Sequence, residues 1–89
     1  MPDRGCYHIE VRESAAKEIR SLSSDVRTRV TQAISALRTV PRPRGVVKLK
    51  GSKSLFRMRV GVYRVIYDID DTTSVIVITR VRHRREAYD

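Results

Sequence analysis

Acidic residues are scarce in this chain. Ten Asp and Glu stand against nineteen Lys and Arg over 89 residues, a formal net charge of +9. Cysteine is nearly absent: Cys6 is the single one, so no internal disulfide can form and a reducing, cytoplasmic setting is expected. Cys6 has only His8 close by in sequence, which excludes a zinc-type ligand spacing and leaves it as a small packing residue at a strand start. Tryptophan is missing and phenylalanine occurs once, so the core must be built from Val, Ile and Leu. No apolar run approaches the roughly 20 residues that a membrane-spanning helix needs. The N-terminus lacks the basic-then-apolar layout of a signal peptide. There is no glycine-rich phosphate loop, no Ser-His-Asp set and no cofactor or metal motif.

What is present is positive charge, unevenly placed. Up to Pro41 there are seven basic and five acidic residues; beyond it, twelve basic face five acidic. Such an excess in one half of a small domain argues for an anionic partner, nucleic acid or an acidic protein.

Periodicity defines one α+β domain over residues 1–89. Tyr7, Ile9 and Val11 alternate with polar residues and predict a strand. Ser14 is the expected cap of a short helix carrying Ala15, Ile19 and Leu22 on one side. Ser24-Asp25 opens a stronger helix whose stripe is Val26, Val30, Ala33, Ile34 and Leu37, stopped by Pro41-Arg42-Pro43-Arg44-Gly45. The two helices are expected to form a hairpin over one face of a sheet. The period then changes to two. Strands are expected at Val46 to Lys50, Leu55 to Val60, Tyr63 to Ile69 and Ser74 to Val81, three or four of them antiparallel. The last, being the most apolar, is placed centrally.

Strand alternation turns Arg57 and Arg59 away from Phe56, Met58 and Val60. Arg64 joins them if Tyr63, Val65 and Tyr67 face the helices, and Arg80 and Arg82 share a phase on the last strand. Tyr63 and Tyr67 read as packing residues, and Asp70 and Asp71 as turn formers.

Three segments, in this order and after two helices, carry a family resemblance: Leu49-Lys50-Gly51; Phe56-Arg57-Met58-Arg59-Val60-Gly61-Val62-Tyr63-Arg64-Val65-Ile66-Tyr67; and His83-Arg84-Arg85-Glu86-Ala87-Tyr88. The chain resembles the RelE/ParE superfamily of toxin–antitoxin toxins, and looks closest to its RelE-type mRNA-cleaving branch. That resemblance implies the RelE-like microbial RNase fold and a ribosome-dependent endoribonuclease that cuts mRNA in the decoding site. It also implies a cognate antitoxin that wraps and neutralises the toxin in a hetero-oligomer. The family's functional positions fall here on Arg57, Arg59, Arg64, Arg82, His83 and Tyr88. Arg57 and Arg59 stand where the best-known members carry lysine; arginine keeps the charge but is far harder to deprotonate.

RNA is cut when its own 2′-hydroxyl attacks the adjacent phosphate. A protein assists by aligning that attack, by stabilising the charge on phosphorus oxygens, and by moving protons. Arg57, Arg59 and Arg64 suit charge stabilisation, because a guanidinium is planar, permanently cationic and bidentate toward phosphate. Tyr88 is expected to orient or deprotonate the 2′-hydroxyl, or to stack on a base, with His83 or Arg82 assisting the leaving oxygen. Lys48, Lys50, Lys53, Arg80, Arg84 and Arg85 are expected to contact RNA around these groups. Two further readings stay open on this fold: a ParE-type toxin that binds DNA gyrase, and a nucleic-acid-binding module without chemistry.

Overall fold

The computed structural model describes residues 6–85. The elements run β1 (His8–Val11), α1 (Glu13–Arg20), α2 (Ser24–Ala36), β2 (Val47–Lys48), β3 (Leu55–Val60), β4 (Tyr63–Asp70) and β5 (Val75–His83). The five strands form one sheet in the order β1-β5-β4-β3-β2. β2 to β5 pair antiparallel, whereas β1 pairs parallel with β5, with His8 beside Val75 and Val11 beside Ile78.

The helices cover one face because their apolar stripes meet the inward phase of the strands. Ala15 of α1 and Val30 and Ile34 of α2, with Leu37 just beyond it, are buried against Phe56, Met58, Val65, Tyr67, Ile69, Ile76, Ile78 and Val81. Tyr67 is fully buried. Its hydroxyl donates to the Pro41 carbonyl at 2.9 Å, so the proline-rich segment after α2 is fastened to the middle of the sheet. That bond satisfies the only polar atom of a ring otherwise committed to the core. Arg42 continues the seam: it pairs with Asp71 at 2.8 Å, Asp71 accepts the Tyr7 hydroxyl at 2.7 Å, and the Arg42 guanidinium lies 5.1 Å from the Phe56 ring centre.

Several expectations from the pattern are corrected here. Ser14 does not cap α1; Arg12 occupies that position, and the Ser14 hydroxyl reaches the Thr79 carbonyl of β5 at 2.9 Å. The strand expected over Val46 to Lys50 contracts to Val47–Lys48, because the chain turns at Leu49 to Ser52. β5 is interior, but the middle strand is β4, since β1 returns to pair on the far side of β5. The β3–β4 hairpin has the two-residue loop Gly61-Val62. Gly61 has φ +61°, the positive value required at the first position of a turn that follows the sheet twist.

Candidate nucleic-acid interface

The face of the sheet away from the helices carries the arginines, and register assembles them. Arg59 of β3 lies directly opposite Arg64 of β4, and Arg64 lies directly opposite Arg82 of β5. Directly opposed residues share a face with Cβ atoms about 5 Å apart. Arg59, Arg64 and Arg82 therefore make a transverse row across three strands. Arg57, one pleat further along β3, stands beside Ile66 on the same face. Arg59 is exposed, whereas Arg57, Arg64 and Arg82 are half-buried, their stems covered.

The position of Arg82 depends on a β-bulge that the alternation does not reveal. Ile76 and Ile78 are buried under the helices, and unbroken period two would send Arg80 and Arg82 into the core with them. Instead Ile66 pairs with Arg80 while Tyr67 pairs with Ile78, leaving Thr79 as the extra residue. Such a bulge re-aims every side chain beyond it. Val81 then enters the core and Arg82 emerges beside Arg64. Thr79 holds the bulge in place: its Oγ1 donates to the Ile66 carbonyl at 3.0 Å.

A small cleft of about 130 Å³ opens at the hairpin end of the row, lined by Arg59, Gly61, Tyr63, Arg64 and Arg84. Arg84 is brought there by its backbone N–H, which donates to the Val62 carbonyl at 2.7 Å. The other end of this face is different in kind. A broad cleft of about 740 Å³ there has Leu55, Val75 and Val77 in its wall and a balanced set of charges, Arg12 and Arg80 with Asp68 and Asp70. Uncompensated positive charge on this face is therefore concentrated at the β3–β4 loop, which favours an anion there.

The structure does not bring every expected site residue into this row. His83 is adjacent to Arg82 in a strand, so it points to the opposite face. It lies in register with Tyr63, the two rings edge-on at 5.3 Å between centroids. Its Nδ1 accepts the Arg85 backbone N–H at 3.1 Å. Lys48 pairs with Phe56 and so lies on the helix side of the sheet, at its edge. Lys50 and Lys53 are exposed in the β2–β3 loop, at the end of β3 opposite to Arg59, about 20 Å along the strand. Arg85 is exposed after β5. Arg80 has its guanidinium on Glu18 of α1, at 2.8 Å and 3.2 Å. Tyr88 lies outside the described residues. Tyr63, expected only to pack, also lines the cleft. The signal that would have exposed the bulge was two arginines in phase with two buried isoleucines, an arrangement no regular strand tolerates.

Among the described residues no helix is long and apolar enough to cross a membrane.

Comparison with known proteins agrees with this architecture. Residues 9–88 match the family described as the ParE toxin of the type II toxin–antitoxin system parDE. The Methanocaldococcus jannaschii protein named toxin RelE1 is 27% identical over 85 residues, spanning 92% of this chain and 94% of its own. The toxin of the archaeal RelE–RelB complex from Pyrococcus horikoshii superposes with a TM-score of 0.81 at 31% identity, covering 92% of this chain and 99% of that one. The RelBE2 toxin–antitoxin complex of Mycobacterium tuberculosis gives a TM-score of 0.76 at 30% identity, covering 89% and 99%. With residues 9–88 of its 89 matched to that family and the fold of a RelE–RelB structure shared over 92% of its length, the chain belongs to the RelE/ParE superfamily of type II toxin–antitoxin toxins.

Proposed function

We propose that this toxin is a metal-independent, ribosome-dependent endoribonuclease that cuts mRNA in the A site. The observation that carries the reading is the row Arg59–Arg64–Arg82 on the sheet face away from the helices, with Arg57 beside it. Three forked cations spaced by the strand separation, roughly 5 Å, match the oxygens of one phosphodiester and its neighbours. In this reading the 2′-hydroxyl oxygen bonds to phosphorus and the bond to the 5′-oxygen breaks, leaving a 2′,3′-cyclic phosphate. Arg59 and Arg64 hold the non-bridging oxygens, on which charge accumulates in the transition state. Arg82 stabilises the departing 5′-oxygen. Arginine is not a base at neutral pH, so in this reading Tyr88 takes the 2′-hydroxyl proton as its phenolate, and the departing 5′-oxygen takes a proton from water. His83, on the far face, buttresses the Tyr63 wall of the cleft rather than meeting substrate. Arg84 and Arg85 extend the phosphate contacts beyond the row. The ribosome and mRNA place the work in the cytoplasm.

The partner in the same reading is a cognate antitoxin, acidic in part, that covers the helical hairpin and the sheet edge and competes with the ribosome. Its support is that the similar Pyrococcus and Mycobacterium structures are themselves toxin–antitoxin complexes, together with the charge of +9.

A second reading, gyrase inhibition, is favoured by the ParE description of the matching family. Induced expression separates the two. Intact mRNA is expected to disappear within minutes, before any DNA-damage response. DNA damage without early loss of mRNA would transfer the assignment to gyrase.

A further inference from the structure

Glu18 is the one acidic side chain that reaches the arginine end of β5 among the described residues, and it uses both oxygens there. Oε1 accepts the Val81 N–H at 2.7 Å. Oε2 accepts Arg80 Nη2 at 2.8 Å and Arg80 Nε at 3.2 Å, and lies 3.6 Å from Arg82 Nε. The location has a reason. β1 pairs with β5 only from Val75 to Ile78, so among the described residues the edge of β5 after the bulge has no strand beside it. α1 covers that edge, with Ser14 on the Thr79 carbonyl and Glu18 on the Val81 N–H. Satisfying one N–H needs only a neutral acceptor. A carboxylate there lowers the attraction for a polyanion, which is a poor choice unless the charge itself has a use.

We propose that Glu18 is a positioning residue for the RNA site: its carboxylate fixes the Arg82 guanidinium beside Arg64 and withdraws Arg80 from the phosphate-binding set. The proposal rests on the reading of the arginine row as the site of cleavage. An arginine has four rotatable bonds, and a free one must be ordered in the transition state at an entropic cost. A guanidinium already oriented by a carboxylate meets that cost beforehand, the preorganisation that makes electrostatic stabilisation effective. The same contact explains why Arg80, in phase with Arg82, is turned to the edge of the sheet. Arg80 accordingly holds its proton even more tightly than a free guanidinium, chiefly through the hydrogen bonds it donates to Glu18.

The test is Glu18→Gln, which retains an acceptor for the Val81 N–H. Two quantities are measured: single-turnover cleavage of ribosome-bound mRNA, and salt-dependent binding of a non-cleavable 2′-O-methyl RNA oligonucleotide. Cleavage is expected to fall about tenfold while RNA affinity rises. The slope of log K against log salt should steepen by roughly 0.7, as one cation is released to phosphate. A merely structural role would not move rate and affinity in opposite directions. In an Arg82→Ala background, Glu18→Gln is expected to lower cleavage no further, because the two act as one unit. If Glu18→Gln cleaves at the parental rate while Arg82→Ala is impaired, the positioning role is overturned and the site stands. If Arg82→Ala itself cleaves at the parental rate, the site reading falls and takes the positioning role with it.

Discussion

Arg64→Ala is expected to lower the rate of cleavage of ribosome-bound mRNA by at least 10²-fold and to abolish growth arrest on induction. Arg64 is the centre of the row, with Arg59 opposite it on one side and Arg82 on the other. Removing a single preorganised donor from a charge-stabilising site typically costs 10²–10³-fold in rate. The central member should fall in the upper part of that range, because it bridges the other two. Arg64→Lys should recover only part of the loss, since an ammonium supplies charge without the planar fork. The folded state should survive the substitution, because Arg64 lies on the sheet face opposite the packed core. Lys50→Ala and Lys53→Ala, at the far end of β3, serve as matched controls and should cleave at nearly the parental rate. A rate for Arg64→Ala within a few-fold of the parent, in a protein with an unchanged thermal transition, would remove the row from the chemistry.

The second large effect concerns stability. Tyr67→Ala is expected to cost about 3–5 kcal/mol, a large share of the 5–15 kcal/mol that holds a typical domain together. Tyr67 is fully buried, stacks at 6.1 Å on Phe56, and bonds the Pro41 carbonyl. The milder Tyr67→Phe loses the bond to Pro41, about 1 kcal/mol, and gives a pH signature. Burial pushes the Tyr67 phenol up to about 12, with the nearby Arg42 pulling weakly the other way. An unfolded tyrosine titrates near 10. Between those values the unfolded chain releases the proton while the folded chain retains it. Stability attributable to this group is therefore fully present below pH 10 and is lost as pH rises toward 12. The loss is on the order of 2 kcal/mol. Tyr7, raised by its hydrogen bond to Asp71, acts in the same direction. Urea unfolding at pH 7 and pH 11 should show a fall in stability for the parent that shrinks clearly in Tyr67→Phe. An equal fall in both proteins would mean that the Tyr67 hydroxyl is not sequestered.

How much of this was readable in the chain differs from element to element. β3 was legible to the residue, because Phe56 and Met58 alternate with Arg57 and Arg59 on a strand with one dry face. The α2 stripe was legible for the same reason at period 3.6. Arg64 followed once the phase of Val65 and Tyr67 was known. β5 could not be read this way. Its one-residue bulge at Thr79 reverses the alternation midway, so the shared phase of Arg80 and Arg82 was correct while the face it named depended on an irregularity no local pattern encodes. The separation of His83 from the row has a different cause: it adjoins Arg82 in sequence, and a strand sends neighbours to opposite faces. The parallel pairing of β1 with β5 and the reach of Glu18 to Arg80 join residues more than 60 positions apart. Such contacts are set by tertiary closure, and a lone glutamate on a helix gives no sign of them. Lys48, Lys50 and Lys53 looked like a rim because they are basic and precede the arginines. The register of β2 and the length of β3 put them elsewhere.

The central claim is that one phosphate-binding row of guanidinium groups meets RNA on the sheet face away from the helices. Its most direct test is a titration of 15N-arginine-labelled protein with a 2′-O-methyl RNA oligonucleotide, following the side-chain Nε–H resonances. The Arg59, Arg64 and Arg82 signals are predicted to shift together along a single binding curve, with Arg27 and Arg38 of the helical side unmoved. Shifts concentrated on the helical arginines, with the three row signals stationary, would contradict it.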